Sequence, residues 1–359
     1  MTQAHVGSLI AAMIGIMVVV SGCTSAEPPD APPQGSSPPP RQIRPLPTDC
    51  TTFGADPEQA RTALAQALPG DTVCLRGDRL ADTELDMANS GTPSEPITVV
   101  ADGALVRSLD LSADHVIVDG FSLFDGDGLT MQGRGLLARN NVIYNAAKDG
   151  IVCDGCFDTV IESNVIRRAD GTGIYLTGER ITVRDNTVSE SVLRTQGDAD
   201  GIRFFGPGHR LTENTIRDIK ETGYGRGAAP HTDCFQTYNT AQDIPTFDVV
   251  IADNVCTNVD VQCLIATANE DGAHGAPPGQ IAITFERNTC AVDGSQAVLL
   301  ENFPHVIVRN NRFSGPGDRA VQLSRGSTDC TLIGNTVAAP MRPYEIDEQS
   351  RRGFRDEGA

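Results

Sequence analysis

The sequence contains no tryptophan, aromatic residues make up 5% of it, and of its 28 basic residues only Lys148 and Lys220 are lysine. The lack of large rings excludes a core built on aromatic packing, so small and β-branched side chains must fill the interior. The 47 acidic residues outnumber the basic ones and leave a formal charge of −19. That balance excludes a general nucleic-acid binder, because nothing supplies the basic stripe that phosphate neutralisation needs. Charged residues total 21%, too few for a coiled coil or a charge-laced helical bundle. What is plentiful is glycine, 36 in 359 residues, and with recurrent asparagine it points to many turns joining short strands.

Long apolar runs are also scarce. The stretch from Ser8 to Val20 is too short to span a membrane but has the length of a secretory h-region. It ends in Val20-Ser21-Gly22-Cys23, which resembles a bacterial lipobox. The resemblance implies a signal peptide over 1–22, lipidation of Cys23, and a location on the outer face of the cell membrane or in the wall. An ordinary signal peptide followed by a free thiol is the alternative. Nine prolines between Glu27 and Pro47 favour extended polyproline II, so 23–48 reads as a tether. Residues 341–359 read as a polar C-terminal tail, which leaves 49–340 for the folded domain.

That domain is repetitive. An anchor Asn followed by a short apolar strand recurs at Asn141, Asn164, Asn186, Asn214, Asn254, Asn288, Asn311 and Asn335. From Asn to the first apolar residue of the next strand the interval is ten for Asn141 to Ile151, Asn164 to Ile174, Asn254 to Leu264, Asn288 to Val298 and Asn311 to Val321. Asp119 to Leu129 is also ten, so Asp119 is expected to replace Asn in one more coil. A strand repeat with a turn of 22 to 24 residues is that of a parallel β-helix, in which no coil buries its own apolar face but a stack does. The chain resembles the right-handed parallel β-helix, or pectate-lyase-like, superfamily from about Cys50 to Val337, with an amphipathic capping helix over Pro57 to Leu68. The resemblance and the crossover rule, not the spacing, carry the handedness.

Nine cysteines follow Cys23, in a chain read as exported, where disulfides persist. Cys234 and Cys263 occupy equivalent strand positions, as do Cys256 and Cys290. Equivalent sites about 4.8 Å apart predict Cys234–Cys263 and Cys256–Cys290 bonds. Cys50 and Cys74 are placed to tie the cap to the first coil, Cys153 and Cys156 to close a local loop, and Cys330 is left over.

Insertions in a solenoid mark its functional flank. Asn186 to Ile202 is sixteen residues, Asn214 to Phe235 twenty-one, Phe235 to Asn254 nineteen and Leu264 to Asn288 twenty-four. These consecutive long limbs should wall a groove over Asp198-Ala199-Asp200-Gly201-Ile202-Arg203 and His231-Thr232-Asp233-Cys234-Phe235-Gln236. In register, Asp198 lies beside His231, Asp200 beside Asp233, and Arg203 beside Gln236. Alternation turns Arg203, Gln236, Tyr175, Phe205 and Tyr238 outward. His231, Asp233, Asp198, Asp200 and Arg203 are the candidate catalytic groups, supplying proton transfer and charge stabilisation; Gln236, Tyr238, Tyr175 and Phe205 are candidate substrate contacts. Asp127, Asp149, Asp200 and Asp233 share a turn position, so this column also has a purely structural reading. Glu301, Gln322 and Arg325 form the next outward cluster.

The His231-x-Asp233-x-x-Gln236 pattern resembles a strand of secreted bacterial β-helix proteins of polysaccharide-active type. That resemblance implies a monomeric, surface-anchored enzyme acting on an extracellular polysaccharide by elimination, epimerisation or hydrolysis. The paired motifs of polygalacturonases and the Lys and Arg pattern of the main pectate lyases are absent. A non-catalytic wall-glycan binder or structural surface lipoprotein is the alternative. The membrane is a partner only through the lipid anchor, and nucleic acid is not one. No cofactor is assigned from sequence; calcium is the one considered, at Phe124 to Gly128 or as a bridge to a polyuronide.

Overall fold

The computed structural model describes residues 45–358 except 196, 225–227, 240–243, 270–276 and 278. Expectations for Cys23, for the signal peptide and for most of the tether lie outside the described residues.

Strand pairing is parallel throughout, and each strand pairs with its equivalents one coil earlier and later. One face stacks Ile151–Phe157, Ile174–Glu179, Ile202–Phe205, Asp233–Asn239, Gln262–Ala268, Gln296–Glu301 and Arg319–Ser324 in that order. The second stacks short strands that follow each anchor Asn, from Val142–Tyr144 to Thr336–Val337. The third runs from Thr52–Gly54 to Arg355–Glu357 as a thirteen-stranded sheet. This is a parallel β-helix, and the interior column Ile151, Ile174, Ile202, Phe235, Leu264, Val298 and Val321 is in the register that the ten-residue interval predicts.

The interval is maintained by the asparagines. Each Asn Oδ1 accepts the backbone N–H and the amide Nδ2 of the Asn one coil earlier, at 2.8–3.1 Å from Asn141–Asn164 through Asn311–Asn335. The stack thereby satisfies amides that are at most 8% exposed. The residue before each Asn has positive φ, from Asn140 at 57° to Asn310 at 56°, which makes the corner sharp enough to aim the amide inward. Asp119 is not on this ladder. It pairs in register with Arg139, and the position above Asn141 belongs to Phe121, whose N–H donates to Asn141 Oδ1 at 3.0 Å. The count of ten is a coincidence: Ser122 pairs with Val142 and Leu129 with Ile151, so the ladder position of this coil, Phe121, lies eight residues before Leu129, and Asp119 lies two residues before that.

The N-terminal end is closed by the helix Pro57–Gln66, with Asp56 as N-cap to Gln59 and Ala60, Ala63 and Leu64 buried. The C-terminal end corrects the expected tail. Arg342–Ile346 pairs with Arg319–Ser324, and Arg355–Glu357 with Thr331–Ile333, so 341–358 build one further coil. Met341 and Ser350 are buried and Tyr344, Ile346 and Phe354 pack on the core, while most of the remaining residues of this coil are polar and exposed, as a terminal repeat needs.

Two disulfides correct the sequence expectation. Cys50–Cys74 and Cys153–Cys156 form as anticipated, but the other bonds are Cys234–Cys256 and Cys263–Cys290, with Cα separations of 6.1 and 5.9 Å. Cys256 and Cys290 are register partners, as counted. Side chains stacked in register have parallel Cβ vectors, whereas inward residues of two faces converge across their shared corner. Cys330 remains a buried free thiol.

Candidate active site

The site lies where the second face turns into the first. In a plain coil this corner is one short turn; here the limbs before Ile202 and Phe235 are long, and the first is pinned rather than loose. Asp170, 1% exposed, accepts the N–H groups of Arg194 and Thr195 and the Thr195 hydroxyl, and Tyr224 Oη accepts the Leu193 N–H at 2.7 Å.

Asp200 and Asp233 occupy the same corner on adjacent coils, in the register counted from sequence. Both are completely buried, which the outward reading did not foresee. Each spends one oxygen on the next coil: Asp200 Oδ1 accepts the Asp233 N–H at 3.1 Å, and Asp233 Oδ1 accepts the Gln262 N–H at 2.9 Å. Asp149 makes the same bond to Thr172 N–H one coil pair earlier. The structural reading of the Asp column is therefore correct for these oxygens.

The second oxygens meet the other candidate groups. Asp233 Oδ2 accepts from His231 Nδ1 at 2.8 Å, and the imidazole, 47% exposed, keeps its other edge toward solvent. Asp200 Oδ2 is in close ion-pair contact with an Arg203 terminal nitrogen, which also meets Asp198 Oδ2 at 2.9 Å. Asp198 is 31% exposed and is the accessible carboxylate of the three.

Burial and charge move these groups in opposite ways. The hydrogen bond to Asp233 raises His231 to about 9 against the cost of burial. Burial raises Asp200 to about 8, with Arg203 pulling it down and Asp233 pushing it up. Burial also raises Asp233, opposed by His231 and the Gln262 N–H. Burial works against the Arg203 charge, but Asp200 and Asp198 hold the guanidinium protonated.

Beside this cluster Tyr175, Arg203, Gln236 and Ile265 stand in register on the outer face. Tyr175 and Tyr238 flank Phe205 at centroid separations of 5.8 and 4.9 Å. The two rings cover Phe205 to 4% exposure, so it supports the tyrosines and is not itself a contact surface. Gln236 is 7% exposed.

Sequence reasoning missed Gln262. It takes the corner position of Asp233 on the next coil and is 4% exposed. Its Oε1 has no hydrogen-bond partner, and neither do Gln236 Oε1, Arg203 Nε and Thr232 Oγ1. Buried atoms without partners cost about 1–3 kcal/mol each, and four of them belong to this corner and the strands beside it. The signal was the register itself, which puts an amide where the two preceding coils put acids.

The calcium expectation at Phe124 to Gly128 does not fit the residues present. Asp125 accepts from Asn145 at 2.6 Å, and Asp127 pairs with Lys148 at 2.7 Å. Among the described residues no group of three or more His, Cys, Asp or Glu has metal-binding geometry.

A family model described as a right-handed β-helix region matches residues 112–216, which sets the handedness. The fold resembles the alginate lyase from Paenibacillus sp. str. FPU-7, with a TM-score of 0.52 at 17% identity over 82% of this chain and 98% of that one. It also resembles a lacto-N-biosidase from Eubacterium ramulus, with a TM-score of 0.50 at 12% identity over 82% of this chain and 63% of that one. No curated protein sequence matches the chain. At these identities the likeness is one of architecture alone, that of a right-handed parallel β-helix.

Proposed function

We propose that the protein is an exported, lipid-anchored enzyme that cleaves or epimerises an extracellular acidic polysaccharide by proton abstraction at His231. The observation that carries this reading is the His231–Asp233 pair, an open imidazole on a buried carboxylate, next to the Arg203 guanidinium. Asp233 fixes the ring so that Nδ1 holds its proton and Nε2 faces substrate. Arg203 is placed to take a sugar carboxylate in exchange for Asp198, its exposed partner, and so to stabilise charge that develops on that carboxylate. In the elimination branch His231 takes the proton from the carbon bearing the carboxylate, the bond to the departing oxygen breaks, and a carbon–carbon double bond forms. The imidazolium then carries the proton that the departing oxygen needs. In epimerisation a proton from solvent is added to the opposite face of the same carbon, and the imidazolium gives its own proton back to solvent.

Hydrolysis by paired carboxylates is less well supported, because it requires two acids facing the substrate and Asp200 and Asp233 are fully buried. The two tyrosines offer a stacking surface for an adjacent sugar. The test is a polysaccharide screen with mass measurement of the products. Unsaturated ends, or inverted sugars without cleavage, support the reading; products that have gained water overturn it. On the substrate so found, His231→Ala and Arg203→Ala are each expected to lose at least about a hundredfold in turnover, and the corner control Asp149→Asn far less. Equal harmlessness of all three would move the site elsewhere.

A further inference from the structure

A second concavity lies at the far corner of the first face, where its strands end at Ala268, Glu301 and Ser324. Ala268 and Asn269, Asn302, Arg325 and Gln349 line a hollow of about 630 Å³, a volume in the range of ligand sites. It lies at the opposite end of the first-face strands from the site. Arg203, Gln236, Ile265, Leu299 and Gln322 are successive register partners, so at about 4.8 Å per coil the Gln322 coil is roughly 19 Å from Arg203 along the axis. The strand Gln262–Ala268 starts at the candidate site and ends at this hollow.

Its walls are held by specific bonds. Asn302 Nδ2 donates to Asn269 O at 2.6 Å, which anchors the start of the long limb after Ala268. The opposite wall is the last coil: Asp347 Oδ2 accepts the Arg325 N–H at 2.7 Å, and Ser350 Oγ accepts from Gly326 and Ser327. Arg325, 71% exposed, pairs through Nε with Glu301 at 2.6 Å. The hollow therefore presents the Arg325 donor fork, with Glu301 paired to it from just outside the lining, and the amides of Asn269, Asn302 and Gln349, mixed with apolar surface that includes Ala268. Such a set complements adjacent hydroxyls. A carboxylate entering here would meet Glu301 beside Arg325, so it is the hydroxyl edge of a sugar that fits.

We propose that this hollow is a distal subsite that binds a sugar unit of the polysaccharide through its hydroxyls, several units from the one that reacts. The inference rests on the carbohydrate reading of the site above, and it predicts a dependence on chain length. The experiment compares kcat/KM on the polymer and on the shortest cleaved oligomer for Arg325→Ala, Glu301→Gln and Gln349→Ala, with thermal melts to establish folding. The polymer-to-oligomer ratio is expected to fall about tenfold in Arg325→Ala and Glu301→Gln. An unchanged ratio in folded variants overturns the subsite. Retardation of the intact protein in polysaccharide gels separates the two proposals. Retardation that Arg325→Ala weakens, without turnover of any substrate, removes the catalytic reading and keeps the subsite; turnover with retardation untouched by all three variants does the reverse.

Discussion

Asp233 has both oxygens committed, one to the Gln262 N–H and one to His231, and no surface of its own. It therefore acts only through the imidazole, whose proton it holds up to about pH 9. If His231 is the base, turnover rises with pH and levels off above about 9, because only the neutral ring accepts a proton. Asp233→Asn keeps an acceptor for Gln262 but removes the anion, so the midpoint of the kcat profile should move down toward 6.5, the ordinary histidine value. A profile that falls through pH 9 would instead make His231 an acid. Stability has its own sign. A histidine raised in the folded state contributes fully below 6.5 and loses that contribution as pH rises through 9. Asp200, raised to about 8, also binds its proton better folded than unfolded, and it likewise makes the folded state less favourable as pH rises from about 4 to 8. Thermal melts should therefore decline from pH 5 to pH 9, and Asp200→Asn should flatten the decline.

At the scale of the element, the ladder was legible because Asn141 to Asn335 all stand in one chemical position and the interval to the next strand is conserved wherever no loop intervenes. Long limbs were legible for the same reason, as departures from a count. What the count did not supply is direction across the interior. Register placed Cys256 on Cys290, and it took the corner geometry to show that each bonds around the bend instead, to Cys234 and Cys263. A similar limit hid the burial of Asp200, Asp233 and Phe205: alternation says which way a residue leaves the strand, not what then covers it. The two interior bonds lie next to the candidate site's corner, since Cys234 follows Asp233 and Cys263 follows Gln262 in sequence. A non-reduced digest should yield linked peptides for Cys234–Cys256 and Cys263–Cys290, and recovery of Cys234 joined to Cys263 would overturn that assignment. Serine at Cys234 and Cys256 together should lower the melting temperature, as loss of a native disulfide commonly costs 2–5 kcal/mol.

The whole molecule is a stack whose coils contact chiefly their neighbours, so an end left bare would offer an unpaired sheet edge to other chains. Both ends are closed, by the helix Pro57–Gln66 and by the polar coil beyond residue 341. If the protein is anchored at a surface as proposed, a polyproline II conformation over 23–48 would give it reach, several tens of ångströms at about 3.1 Å per residue. The tether is useful only if its start is held. If Cys23 is acylated, the native protein partitions into detergent and sediments with membranes, while Cys23→Ala is shed to the medium with its turnover intact, because no part of the site lies before residue 145. A single acyl chain holds a protein only marginally, so firm retention would mean that more than one chain is attached, as in bacterial lipoproteins. Equal partitioning of Cys23→Ala and parent would show that the apolar run is only a cleaved export signal, and that the tether reaches from nothing.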